Sequence, residues 1–148
     1  MCAETSDKPL WDIPEIEAYF ERAFPQVARG KSLYVTEHVT TRSARMRLKF
    51  DDRNLRPGGT IQGPALMSLA DLGSYVVILG AYGERATGAV TTSLQMDFLR
   101  KPEPGDLMAY SELVKPGRRL AVCHVRICSA DGGEPVAVSS CTYAVPAG

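Results

Sequence analysis

The chain has 148 residues, 45% of them hydrophobic and 23% charged, which suits one globular domain around a single core. Lys plus Arg is 17 and Asp plus Glu is 17. No net field therefore draws the chain toward nucleic acid or a membrane surface, and an anionic ligand needs a local cluster of basic groups. Cys2, Cys123, Cys128 and Cys141 lack the paired spacing of a zinc site, with only His38 and His124 to join them. No metal or other cofactor is expected. Met1 to Trp11 has no basic segment ahead of an apolar run, so it is not a secretory signal, and a reducing cytoplasm with free thiols is expected.

Residues 1–12 read as a loose tail ahead of a single domain at 13–148. An amphipathic helix is predicted at about 14–24, with Pro14 in its first turn, Ile16, Tyr19, Phe20 and Phe24 on one face, and Pro25 as its stop. Alternation at 33–40 and 43–50, joined by Thr41-Arg42, predicts a hairpin. Asp51 to Gly63, with Asn54, Pro57, Gly58 and Gly59, is a loop. A long helix follows at 64–82, opened by Gly63-Pro64 and stopped by Gly83. Four more alternating runs lie near 88–99, 106–115, 119–130 and 135–145, separated by turns too short for parallel crossovers. The class is α+β with a mostly antiparallel sheet.

The long helix is apolar all round, as in a helix buried on every side or spanning a membrane. Asp71 in its middle, the lack of a basic flank and the surrounding short strands favour a sheet wrapped around a central helix. Asp71 is the only charge in that helix. A carboxylate buried without partners is costly, and buried acids concentrate at functional sites, so Asp71 is the leading catalytic candidate. The helix start adds free N–H groups and the positive end of the helix dipole, which can hold an oxyanion. Pro64 has no N–H and Gly63 lets a substrate approach closely, so the Gly63 N–H is the favoured donor.

Gly63 and Asp71 are eight residues apart, about 12 Å along a helix axis. An attacking water and its carbonyl meet within about 3–3.5 Å. One chain can hardly serve both, whereas a two-fold dimer can pair the helix start of one copy with Asp71 of the other.

Gly59-Thr60-Ile61-Gln62-Gly63, Leu69-Ala70-Asp71, Asp97 to Pro102, Gly105-Asp106 and Pro116 to Arg119, in this order and spacing, resemble the hotdog-fold thioesterases of the phenylacetate-degradation and 4-hydroxybenzoyl-CoA types, from about residue 30 to 145. The resemblance implies hydrolysis of acyl-CoA thioesters and a homodimer with shared active sites, associating further into a tetramer. It implies Asp71 as general base or nucleophile, Gly63 at the oxyanion hole, and Thr91, with Thr92 nearly as good, as a hydroxyl that helps hold water. Two positions depart from the family. Gln62-Gly63-Pro64 replaces the common His-Gly-Gly, so Gln62 can donate a hydrogen bond but cannot titrate. Arg56 stands where members often carry an Asn, with Asn54 two residues further back.

Arg100, Lys101, Lys115, Arg118 and Arg119 are candidates for the coenzyme A phosphates, the adjacent Arg118 and Arg119 most of all. Leu66, Met67, Tyr75, Leu94, Met96 and Phe98 are candidates for an acyl slot. A hotdog hydratase or dehydratase pairs a His with its carboxylate, and neither His38 nor His124 lies near the helix in sequence. A non-catalytic acyl-CoA binding module is the other alternative, disfavoured by Asp71. No Gly-x-Ser-x-Gly elbow and no phosphate-binding glycine loop is present.

Overall fold

A computed structural model of the chain describes residues 8–148. Helix α1 (Ile13–Ala23) is capped by Asp12, whose carboxylate accepts the Glu15 N–H at 3.0 Å, with a proline in the first turn. Ile16 and Phe20 bury its apolar stripe. Strands β1 (Tyr34–Val39) and β2 (Ser43–Leu48) form the hairpin read at Thr41-Arg42. The Thr40 hydroxyl fixes the turn by accepting the N–H groups of Arg42 at 3.0 Å and Ser43 at 2.9 Å.

Helix α2 (Gly63–Tyr82) ends at Gly83, whose φ of 61° suits a residue without a Cβ. A short 3-10 turn then leads into β3 (Val90–Phe98), β4 (Leu107–Pro116), β5 (Leu120–Ser129) and β6 (Ala137–Ala144). The strands form one sheet in the order β1-β2-β4-β5-β6-β3, antiparallel at every step. Side chains alternate as the sequence predicts. In β2, Ala44, Met46 and Leu48 face the core while Arg45 and Arg47 face out.

The sheet wraps α2, which touches all six strands. Two helix glycines permit the close approach. A Cβ on Gly73 would lie 2.8 Å from Ser111 Oγ, and one on Gly80 would lie 2.6 Å from Val39 Cγ2 and 2.8 Å from the Thr40 carbonyl oxygen. The helix is long and apolar enough to cross a membrane, and its burial inside the sheet accounts for that composition.

Burial is not complete all round, contrary to the expectation from sequence. Pro64, Met67 and Ser68 are exposed and Asp71 is half-buried. These positions fall on one stripe of a helix, the stripe the sheet leaves uncovered. Strand β3 is an edge strand, with Val90 and Phe98 more than half exposed; its outer row of backbone groups has no neighbouring strand among the described residues.

Of the expected loose tail at 1–12, residues 1–7 lie outside the described residues. The rest is anchored. The Leu10 N–H donates to the Gly80 carbonyl at 2.7 Å, and Trp11 meets Tyr19 edge-on at 5.5 Å between ring centres. An irregular segment held by contacts this distant in sequence leaves no periodic signature.

Candidate active site

Asp71 sits midway along the uncovered stripe of α2, opposite the β3–β6 pair. Thr91 and Tyr143 are direct partners in that pairing. The Thr91 hydroxyl donates to Asp71 Oδ1 at 2.7 Å and the Tyr143 hydroxyl reaches the same oxygen at 2.6 Å. Tyr143 also lies 2.8 Å from the backbone carbonyl of Asp71, so its single proton is shared between two acceptors of one residue. Burial, and then the charge of Asp71, push the Tyr143 phenol well above its ordinary range, so it stays a protonated donor.

The register shifts between Thr91 and Ser93. This bulge turns Thr92 elsewhere, and its hydroxyl donates to the Thr142 carbonyl at 3.2 Å. Of the two threonines, Thr91 belongs to the site. Sequence reasoning does not single out Tyr143. The available signal is the alternation of β6, in which Ala137, Ser139, Cys141 and Tyr143 face inward: an inward tyrosine needs a hydrogen-bond partner.

The carboxylate opens onto a cavity of about 230 Å³ walled by Phe24, Val27, Tyr34, Ser68, Leu72, Tyr75 and Tyr143. Tyr75 stacks on Tyr143, with ring centres 5.9 Å apart and planes 6° from parallel. Its hydroxyl lies 3.0 Å from that of Tyr19, and burial pushes its phenol well above its ordinary range. Asp71 Oδ2 accepts no hydrogen bond from the described residues.

The start of α2 forms a second cavity, of about 420 Å³, with Gly63, Leu66, Phe98, Arg56, Arg100 and Lys101 in its walls. Gln62 precedes the helix in an extended conformation and its side chain makes no capping bond. The Gln62 N–H is spent on the Asn54 carbonyl at 2.7 Å and the Ala65 N–H on the Gln62 carbonyl at 3.2 Å. The Gly63 N–H has no acceptor among the described residues, and its amide lies at the positive end of the dipole. The Phe98 ring closes on Gly63, where a Cβ would lie 3.4 Å from two ring carbons.

The other candidates divide between the two ends of α2. Asn54 reaches Gln62 through its backbone. Met67 is 40% exposed on the open stripe. Arg100 lines the Gly63 cavity but is shared with Glu134, at 2.5 Å, and the Pro135 carbonyl, at 2.7 Å. Arg118 and Arg119 are exposed in the β4–β5 turn, near the other end of the helix, where the Tyr82 hydroxyl donates to the Gly117 carbonyl at 2.6 Å. Leu66 is core, and Leu94 and Met96 pack against it from β3. His38 and His124 line a groove of about 660 Å³ on the outer face of the sheet, apart from Asp71.

A sheet wrapped around one long helix, with a hydroxyl-held carboxylate on that helix, is the hotdog arrangement that the motifs resemble. The chain belongs to the thioesterase superfamily, whose sequence profile matches residues 58–136. Thioester hydrolysis is the general chemistry of that class. A candidate thioesterase from Silicibacter sp. has 36% identity to the chain, with 96% of each covered and a TM-score of 0.82. Zebrafish thioesterase superfamily member 2, at 18% identity, matches 92% of this chain and 99% of its own with a TM-score of 0.78. A Haemophilus influenzae thioesterase, at 16% identity, matches 97% and 96% with the same score. These last two share the fold. None of the curated proteins compared matches the chain.

Proposed function

We propose that the protein hydrolyses acyl-CoA thioesters to the free acid and coenzyme A, at sites shared between two copies of the chain. The observation that carries this reading is the Asp71 carboxylate, which lines a cavity and has one oxygen taken by two hydroxyls and the other left without a donor among the described residues. Such a group can take a proton from water or attack a carbonyl itself. On the water route, the water oxygen bonds to the thioester carbon as its proton passes to Asp71. The carbonyl π pair moves onto oxygen, which the free Gly63 N–H receives. Collapse re-forms the carbonyl and expels the coenzyme A sulfur, which takes the proton back from Asp71.

The edge strand supports the pairing. At one end of β3, Thr91 bonds Asp71; at the other end, Phe98 shares the wall of the second cavity with Gly63. If β3 pairs antiparallel with its own copy about its centre, Thr91 of one chain falls beside Phe98 of the other. That brings Asp71 of one copy to Gly63 of the other, and an isologous two-fold gives two such sites. Arg100 and Lys101 then line the Gly63 side, where the phosphates of coenzyme A need cations. The free, buried Cys123, Cys128 and Cys141 suit a reducing cytoplasm.

The test follows free thiol release from a panel of phenylacetyl, benzoyl, short-chain and medium-chain acyl-CoA. Turnover of at least one member is expected. A protein that binds acyl-CoA but turns over none would be the binding module instead, with Gln62 and Pro64 as the reason.

A further inference from the structure

We propose that Tyr143 is a positioning residue that decides which oxygen of Asp71 does the chemistry. The inference rests on the reading of Asp71 as the catalytic carboxylate. The terminal torsion of an aspartate is broad and two-fold, so its two oxygens exchange by rotation unless something distinguishes them. Here Oδ1 receives hydroxyls from two strands, Thr91 on β3 and Tyr143 on β6. The two donors differ in support. Thr91 is exposed on an edge strand beside a bulge. Tyr143 is 4% exposed and stacked on Tyr75. Its oxygen lies within hydrogen-bond distance of both the Asp71 carbonyl and Oδ1, which latches the side chain against its own backbone. With Tyr143 in place, Oδ2 alone is left for water or substrate. Without it, Thr91 is a single pivot about which the carboxylate turns.

Tyr143→Phe keeps the ring and its stack and removes only the donor. The reading expects kcat on the best thioester to fall roughly ten-fold or more, since the lost bond is to a charged group, with KM within about two-fold. In an Asp71→Asn background the same change should cause no further loss, because its effect passes through Asp71. Replacing Tyr143 with 4-aminophenylalanine, which restores a donor on the same ring, should recover most of kcat; this arm also stands if the phenylalanine variant does not fold. Equal losses in both backgrounds, a rise in KM with kcat unchanged, or no recovery by the amino analogue would overturn the inference and leave Tyr143 as a wall of the cavity. A wild type inert on every thioester would instead remove the proposed function, and this inference with it.

Discussion

Thr91 and Tyr143 face each other across the β3–β6 pairing, and their hydroxyls meet on one oxygen of Asp71 at 2.7 and 2.6 Å. The carboxylate belongs to the helix, but its orientation is set by the sheet. That division suits a catalytic group, since two strands locked in register hold their hydroxyls more rigidly than a loop would. It also places the site at an edge strand, the face on which the proposed dimer would add a second chain.

Thr91 and Thr92 are adjacent, alike in size and separated in role by the bulge. Thr91→Val removes a donor to a charged acceptor and should lower kcat about ten-fold with KM little changed. Thr92→Val removes a bond to the Thr142 carbonyl on the sheet surface and should stay within about two-fold of wild type, because surface changes of this kind are small. Steady-state kinetics on the two variants checks the pair; equal losses would contradict the geometry.

Shared sites can be tested by mixing broken chains. Asp71→Asn removes the carboxylate, and Gly63→Val places a branched side chain against Phe98 and over the free amide. Each alone should be nearly inactive. Co-expressed, the mixed dimer keeps one intact site, built from Gly63 of one chain and Asp71 of the other. A random mixture should then regain about a quarter of wild-type activity per dimer, as two-fold symmetry requires. Separately purified variants that regain nothing when co-folded would place both halves of the site in one chain.

The helix glycines predict a graded effect on stability. A Cβ at position 80 would meet the Thr40 backbone carbonyl, which cannot turn aside, whereas one at position 73 would meet the Ser111 hydroxyl, a small group free to rotate. Gly80→Ala should therefore cost about 1–3 kcal/mol. Gly73→Ala should cost less, because alanine's better helix propensity, worth about 1 kcal/mol, offsets part of the clash. Urea midpoints of the two variants give the comparison.

Much of this was legible in the sequence because periodicity is local. The six strands and both helices lie within two or three residues of their predicted bounds, since alternation and the Pro and Gly signals sit within each element. Asp71 stood out as a lone charge in an apolar helix, and Gly63 because Pro64 leaves it as the favoured donor. Tyr143 lies 72 residues from Asp71, and no local pattern announces a hydroxyl that matters only through the β3–β6 register. The choice between Thr91 and Thr92 turned on a one-residue bulge, which parity along a strand cannot reveal. Arg118 and Arg119 were legible as turn residues next to Gly117. Their separation from Gly63 follows from the β4–β5 hairpin closing at the other end of α2.

The most direct test of the account is thiol release by the wild type against Asp71→Asn on the best member of the acyl-CoA panel. Asparagine keeps the size of the side chain and can still accept from Thr91 and Tyr143, but it neither takes a proton from water nor attacks the carbonyl. The account predicts a loss of about 100-fold or more in kcat, the usual range for removing a general base, with the folded dimer intact. An Asp71→Asn protein that turns over within a few-fold of wild type would contradict the account and move the chemistry away from Asp71.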